Sequence, residues 1–165
     1  MIIKIKPNIF QFHFMNFGSA VYLIQLDTLN KKQNILIDTS SKENKRELLT
    51  DLEQLTLSPS DINIIILTHK HWDHDGNINL FPNAKQYTFN NLNEFPIKQF
   101  KIIKTPGHTK DSIAILYEDI LFSGDTLFHN GIGRTDFPES EPEKMKESLK
   151  TLKLLNYKTL CPGHL

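Results

Sequence analysis

Apolar and polar residues alternate over residues 2–6 and 9–14, and residues 20–26 and 34–37 form short apolar runs. Period-two alternation and short β-branched runs predict strands, and Asn30-Lys31-Lys32 between the last two predicts a hairpin turn. The period then changes. Ser40 with Glu43 three residues later has the form of a capping box. Leu48, Leu49, Leu52 and Leu55 follow as one apolar stripe, which predicts an amphipathic helix closed by Leu57-Ser58-Pro59. Residues 62–68 hold Ile64, Ile65, Ile66 and Leu67 in a row, the mark of a short buried strand.

The second half repeats this pattern loosely. A short helix is predicted at residues 75–80, stopped by Phe81-Pro82, and strands at 84–88, 99–104, 112–117 and 120–122. A helix then starts at Ser140, again with a capping-box pattern to Glu143, and Pro142 falls in the first turn, where proline is tolerated. Met145, Leu149, Leu152 and Leu155 form its stripe, and residues 157–161 form a last strand. The order strands, helix, strand thus occurs twice, in an α/β chain. No sequence repeat, low-complexity segment or linker separates the halves, so the 165 residues read as a single domain, 1–165.

The strand at 62–68 runs directly into His69-Lys70-His71-Trp72-Asp73-His74. Neither packing nor folding requires three imidazoles and a carboxylate together. The cluster sits in the loop leaving a strand's C-terminal end, where open α/β layers place their sites. Imidazole with carboxylate suits zinc, iron or manganese. Three later loops each set a metal-capable residue beside glycine after a predicted strand: Thr105-Pro106-Gly107-His108, Ser123-Gly124-Asp125 and Cys161-Pro162-Gly163-His164. The glycines permit tight turns that bring backbone close to an ion. His69, His71, His108, Asp73, His74, Asp125 and His164 are too many ligands for one zinc ion, which takes about four, and fit two ions sharing a carboxylate.

Composition narrows the class. Lys+Arg and Asp+Glu are both 19, giving a formal net charge of zero, and nothing points to a nucleic-acid surface. The lone cysteine, Cys161, excludes an internal disulfide, fits a reducing, cytoplasmic setting, and reads as a small buried apolar residue. The N-terminal residues show no secretory apolar stretch, and no run approaches the roughly 20 residues of a membrane span. A serine-nucleophile elbow, Gly-x-Ser-x-Gly, is absent from the sequence.

Taken in order, His-x-His-x-Asp-His, Gly-His, Gly-Asp and Gly-His span nearly the whole chain, and together they resemble the metallo-β-lactamase superfamily of metallohydrolases. Residues 123–137, Ser-Gly-Asp-Thr-Leu-Phe-His-Asn-Gly-Ile-Gly-Arg-Thr-Asp-Phe, are similar to its glyoxalase II-like branch of hydroxyacylglutathione hydrolases, and also to the related persulfide dioxygenases. The resemblance implies an αββα four-layer sandwich with the site at the sheet edges. Against that family the fold is expected to be shortened at the C-terminus and to lack the glutathione-binding domain of glyoxalase II. It also implies that His69, His71 and His108 bind a first metal, that Asp73, His74 and His164 bind a second, and that Asp125 bridges them. The metals would be two zinc ions, or iron or manganese. Such a pair, about 3.5–4 Å apart, lowers the pKa of a bridging water toward about 7, and the hydroxide attacks the carbonyl of a small thioester or related ester or amide. Asp73 would orient that nucleophile as well as bind metal.

Other readings share these motifs: a mononuclear iron persulfide dioxygenase, a promiscuous β-lactamase, a nuclease-type hydrolase, or a metal-binding protein with little turnover. The best-known zinc β-lactamases use cysteine where this chain has Asp125. Asp38 resembles a superfamily position whose carboxylate supports the metal-binding loop. The usual Asp-x-Gly there is Asp38-Thr39-Ser40, which implies a different turn with Ser40 recruited as the helix cap. Arg134 and Asp136 are expected as an ion pair tying their loop down behind the ligands, with substrate contact as the alternative. His129 reads as a solvated or supporting group, His13 as a strand-face residue and Lys70 as a solvated charge. Trp72 either lines the pocket mouth or packs on the loop. The expected partner is a small-molecule substrate, not nucleic acid or membrane, with a homo-oligomer as one way of covering the short C-terminus.

Overall fold

The alternating N-terminal segments form strands, as their period requires. A computed structural model describes residues 1–28 and 31–165, and the chain divides into two units, Met1–Tyr87 and Thr88–Leu165. Among the described residues the first unit holds a six-stranded sheet in chain order: β1 (Ile2–Lys6), β2 (Ile9–Phe12), β3 (Val21–Thr28), β4 (Lys31–Ile37), β5 (Ile62–Ile66) and β6 (Lys85–Tyr87). Strands β1 to β4 pair antiparallel, whereas β4–β5 and β5–β6 are parallel. A parallel step needs a crossover, and helix α1 (Lys45–Gln54) supplies it between β4 and β5. Leu48 and Leu52 of α1 are buried in a core with Phe12, Leu23, Leu36 and Ile65, and Leu55 packs at its edge. Of the expected turn at Asn30-Lys31-Lys32, Asn30 lies outside the described residues, and Lys31 and Lys32 already belong to β4.

Three expectations in this unit need correction. Strand β2 ends at Phe12, and His13 lies beyond it rather than on a strand face; its N–H donates to the Met1 carbonyl at 2.9 Å, and the Met1 ammonium donates to the His13 carbonyl at 2.8 Å. Ser40 is not a helix cap. It sits at φ +58°, in the left-handed region that glycine favours, and its Oγ accepts from Asn44 Nδ2 at 3.0 Å. A 3-10 turn, Lys42–Asn44, intervenes before α1. The third correction concerns the histidine cluster. Trp72–Asp75 is a helical turn, α2, closed by His74 N–H and Asp75 N–H donating to the His71 carbonyl, and a separate 3-10 turn follows at Ile78–Leu80. The helix expected at 75–80 is thus split and begins earlier. A capping box does form, but at Ser58 and Asp61, where Ser58 N–H donates to Asp61 Oδ2 at 2.7 Å.

The second unit holds β7 (Phe100–Lys104), β8 (Ile113–Tyr117), β9 (Ile120–Gly124) and β10 (Thr159–Pro162), in the spatial order β10-β9-β8-β7. Strands β7, β8 and β9 pair antiparallel, and β10 joins β9 in parallel after the crossover helix α3 (Pro142–Lys153). Leu152 of α3 is buried against Ala114 and Leu121, with Leu127, Leu155, Tyr157 and Leu160 around them. The capping box expected at Ser140 and Glu143 does not form. Glu141 occupies the cap position, and Ser140 Oγ donates to the His108 carbonyl at 2.7 Å. Among the described residues, no helix is long and apolar enough to cross a membrane.

Candidate metal centre

The parallel register of β4 and β5 sets Ile37 beside Ile66, so the residues leaving the two strands meet. Asp38 N–H donates to the Ile66 carbonyl at 3.0 Å. The buried Asp38 carboxylate then accepts three bonds, each of 2.8 Å: from Thr68 N–H, from the Thr68 hydroxyl and from His74 Nδ1. Because Thr68 gives its proton to Asp38, its oxygen is left to accept from His69 Nδ1 at 3.1 Å. This relay assigns both tautomers: His69 and His74 carry their protons on Nδ1, and each Nε2 is a lone-pair donor. A carboxylate or hydroxyl behind the distal nitrogen is the usual support of a metal-binding imidazole. His69 Nε2 lies 3.0 Å from His71 Nδ1, so two imidazole nitrogens face one another. Asp73 and His74 are buried in α2, whose backbone is fastened to the strand ends. The Asp73 carbonyl accepts from Ser19 N–H at 2.8 Å, and the His74 carbonyl accepts from Thr39 N–H at 2.7 Å and Thr39 Oγ1 at 3.0 Å. Burial pushes the neighbouring Asp75 carboxyl above its ordinary 3.8; His74 opposes the rise and Asp38 adds to it.

In the second unit the residues arrive on separate loops. His108 Nδ1 donates to the Arg134 carbonyl at 2.7 Å, which leaves Nε2 as the lone-pair nitrogen. That nitrogen lies 3.5 Å from Asp125 Oδ2, and His164 Nε2 lies 3.4 Å from the same oxygen. A charge-assisted hydrogen bond would be shorter, about 2.7–2.9 Å. The observed spacing matches ligands arranged tetrahedrally around a zinc ion at about 2.1 Å, which stand about 3.4 Å apart. The donor set therefore suits a divalent cation. Backbone contacts brace these loops: Gly163 N–H donates to the Gly124 carbonyl at 2.9 Å, and Glu141 N–H, at the start of α3, donates to the Gly107 carbonyl at 2.8 Å. At Gly133 an added Cβ would overlap the Asp125 carbonyl oxygen and stand 3.0 Å from His108 Nδ1, so only glycine lets this segment pass.

The remaining candidates fall in place less directly. Arg134 and Asp136 form an exposed two-pronged ion pair, at 2.9 and 2.8 Å, and the guanidinium lies 4.4 Å from the Phe137 ring centre. The Arg134 contact with His108 is made by its backbone, not its charge. His129 is exposed and lines a cavity of about 260 Å³ with Phe128, Asn130, His164 and Leu165. Lys70 is exposed. Burial pushes the Cys161 thiol up to about 12, so it remains protonated and inert. Sequence reasoning missed Thr68, Thr39, Asn77, Gly133 and Ser140. Asn77 Nδ2 donates to the carbonyls of Thr39 and Ser41, at 2.9 and 2.6 Å, locking the turn after β4. Only the threonine directly before the cluster carried a signal, since a hydroxyl beside a histidine run can serve as its partner.

The sequence profile of the Metallo-beta-lactamase superfamily matches residues 16–89 and 85–164. The chain is 37% identical over 143 residues to a probable metallo-hydrolase of Methanocaldococcus jannaschii, covering 79% of this chain and 70% of that one. It is 30% identical over 161 residues to a hydroxyacylglutathione hydrolase of Hydrogenovibrio crunogenus, covering 81% of this chain but 59% of that protein. Among solved structures, ETHE1 from Myxococcus xanthus superposes with a TM-score of 0.73 at 26% identity, covering 94% of this chain and 74% of that one. The BLEG-1 B3 metallo-beta-lactamase also gives 0.73, at 24% identity, covering 95% and 91%, a likeness of fold. The fold is thus the two-sheet α/β fold of metallo-β-lactamases, and its histidine and aspartate groups are of a kind that can hold a metal ion. The chain belongs to the metallo-β-lactamase superfamily, with hydroxyacylglutathione hydrolases among its relatives.

Proposed function

We propose that this chain is a dinuclear metal-dependent hydrolase of small thioesters, or of related esters or amides. By its superfamily motifs, His69, His71 and His108 hold one ion, Asp73, His74 and His164 hold the other, and Asp125 is shared. The observation that carries the reading is the Asp125 carboxylate, with two imidazole Nε2 atoms within 3.5 Å of one oxygen. The relatedness to hydroxyacylglutathione hydrolases supports a thioester as the bond cleaved. Two zinc ions are the natural occupants of such a set, and iron or manganese suits the same donors. When bound, the metals supply an activated water and polarise the scissile carbonyl.

The chain's own residues prepare this. Asp38 and Thr68 keep His69 and His74 in the tautomer whose Nε2 can donate a lone pair. Arg134 does the same for His108 through its carbonyl. Asp73, buried at the start of α2, orients the attacking water with its carboxylate. No nucleophilic serine or thiol is required, in keeping with the inert Cys161.

Elemental analysis of protein purified without added metal, with a thioester hydrolysis assay on the same sample, tests the proposal. Two zinc ions per chain and turnover abolished by chelation are the expected outcome. One iron per chain with oxygen uptake on a persulfide would replace the reading with a dioxygenase. Metal-replete protein that cleaves no thioester, ester or amide would overturn it.

A further inference from the structure

Residues 88–99, ahead of β7, carry apolar side chains at Phe89, Leu92, Phe95 and Ile97, yet they form no strand and no helix beyond one 3-10 turn, Leu92–Glu94. Successive turns shape them instead. Asn91 N–H donates to the Thr88 carbonyl at 3.1 Å, and Thr88 N–H to Asn91 Oδ1 at 2.8 Å. Glu94 N–H donates to the Asn91 carbonyl at 3.1 Å, Phe95 N–H to the Leu92 carbonyl at 3.0 Å and Phe100 N–H to the Ile97 carbonyl at 3.2 Å. β7 is an edge strand of its sheet, and Phe100, Ile102 and Lys104 alternate onto one of its faces. The segment and that face share a cavity of about 270 Å³, in which Leu92, Phe95 and Ile97 stand with Phe100 and Ile102. All of its lining residues belong to the second unit, and none is a candidate metal ligand.

The lining has two chemistries. Phe100 is buried, but Leu92, Phe95, Ile97 and Ile102 are only half-buried, so the cavity keeps apolar surface in water. The Phe95 and Phe100 rings meet edge to face, with centres 5.6 Å apart at 66°, a pairing that a third ring can extend. Stacking on Tyr117 at 4.4 Å fixes Phe100 in place. The second chemistry is cationic. Lys98 and Lys104 line the same cavity, and the Phe89 ring holds the Lys104 ammonium 4.1 Å from its centre. Among the described residues no carboxylate pairs with either lysine, whereas Lys144, Lys146 and Lys158 each have one. Size adds a limit. A cavity of about 150 Å³ takes a benzene ring, so 270 Å³ takes a ring bearing a short chain.

We propose that this cavity binds a small aryl-alkyl carboxylate, its ring against Phe95, Phe100 and Ile102 and its carboxylate accepting from the Lys98 and Lys104 ammoniums. An apolar wall takes the body of the ligand and a few charged donors fix its orientation, as in small-molecule pockets generally. The carboxylate supplies the anionic partner that the chain does not. β7 runs on into Thr105-Pro106-Gly107-His108, so a ligand held by Lys104 sits at the strand end that delivers His108. The site is a second one, independent of the chemistry at the metal centre.

The test uses the zinc-loaded chain and needs no turnover. Phenylpropionate is titrated by calorimetry, with phenylpropanol and propionate as controls for the ring and the charge. Phenylpropionate is expected to bind at least about tenfold more tightly than either control. Lys98→Gln and Lys104→Gln together are expected to weaken it by about tenfold, as the loss of two partly exposed ion pairs would. Both lysines are exposed, so the double variant is expected to fold as the parent does, checked by its methyl spectrum. Nuclear magnetic resonance of methyl-labelled Leu and Ile locates the ligand, with shifts expected at Leu92, Ile97 and Ile102. A carboxylate can also bind a metal ion. Binding that survives in the double variant and shifts the His108 and His164 imidazoles instead of those methyls overturns the site. So does an alcohol that binds as tightly as the acid, or no saturable binding of phenylpropionate. A dimer in sedimentation whose interface shields the same methyls also overturns it, since a second copy would then fill the cavity.

Discussion

In the first unit the candidate ligands His69, His71, Asp73 and His74 fall within one short stretch, where buried side chains orient His69 and His74. Asp38 and Thr68 relay hydrogen bonds to two of the imidazoles, all between buried groups. In the second unit His108, Asp125 and His164 come from three separate strand ends, and backbone holds them. A carbonyl fixes His108, a backbone bond ties Gly163 to Gly124, and Gly133 passes so close that no side chain fits. The contrast separates two ways of preparing a metal site. Ligands packed into six residues cannot all be oriented by their own backbone, so a buried carboxylate does it. Ligands that each have a strand and a turn to themselves are placed by the turns, and depend on shape rather than charge.

Removing Asp38 should break this comparison most strongly on the first side. Asp38→Ala strands the Thr68 N–H, the Thr68 hydroxyl and His74 Nδ1 in a buried space, at about 1–3 kcal/mol for each donor. With water partly filling the gap, the expected loss is about 3–5 kcal/mol in denaturant unfolding. Zinc affinity should fall about 10–100-fold in a competition titration, as it does when an imidazole loses its outer partner. Asp38→Asn, which keeps the shape and an acceptor oxygen, should lose less of both. On the second side the matching change is Gly133→Ala. The added methyl collides with the Asp125 carbonyl, so the expected loss is about 1–3 kcal/mol, with zinc affinity falling although no polar group has been removed. If Gly133→Ala left zinc affinity at the parent level while lowering stability, shape would not be what places the second set.

The same contrast explains what the sequence made legible. The histidine cluster stood out because its residues are neighbours and because an apolar strand, ending at Ile66, leads into it. His108, Asp125 and His164 each look like ordinary loop residues, and only their repeated placement beside glycine after a strand marked them. The strands and both long helices were readable from their apolar periods. Their starts were not. Ser40 and Ser140 carry the capping pattern, but both hydroxyls serve the site's framework instead, one accepting from Asn44 and the other donating to the His108 carbonyl. A local motif shows which bonds a serine can make; the tertiary setting decides which it does make. Asn77 and Gly133 were invisible for a related reason, since the backbone atoms they meet are brought beside them only by the fold.

Ser140 offers a milder probe of the backbone-held side. Ser140→Ala removes the bond to the His108 carbonyl without leaving a charge unpaired, so a loss of about 0.5–1.5 kcal/mol is expected by thermal or denaturant unfolding. A larger loss, with helix α3 frayed by circular dichroism, would mean that the serine caps the helix in solution after all.

The smallest effect, and the sharpest discriminator, belongs to Arg134. Its guanidinium and the Asp136 carboxylate form an exposed pair whose mutual hydrogen bonds hold Asp136 below its ordinary 3.8. Such a pair stabilises the fold above pH 3.8, and that contribution disappears as pH falls through the depressed folded value of Asp136. Exposed pairs of this kind contribute little and are screened by salt. The contact that reaches His108 is the Arg134 carbonyl, which Arg134→Ala retains. The expected result is therefore zinc affinity within about threefold of the parent, against the 10–100-fold loss in Asp38→Ala. Asp136→Asn should show a thermal midpoint that no longer differs from the parent once pH is lowered below the carboxylate range. If Arg134→Ala instead matched Asp38→Ala in metal loss, the second unit would hold its ligands by side-chain charge as the first does, and the distinction between the two halves would collapse.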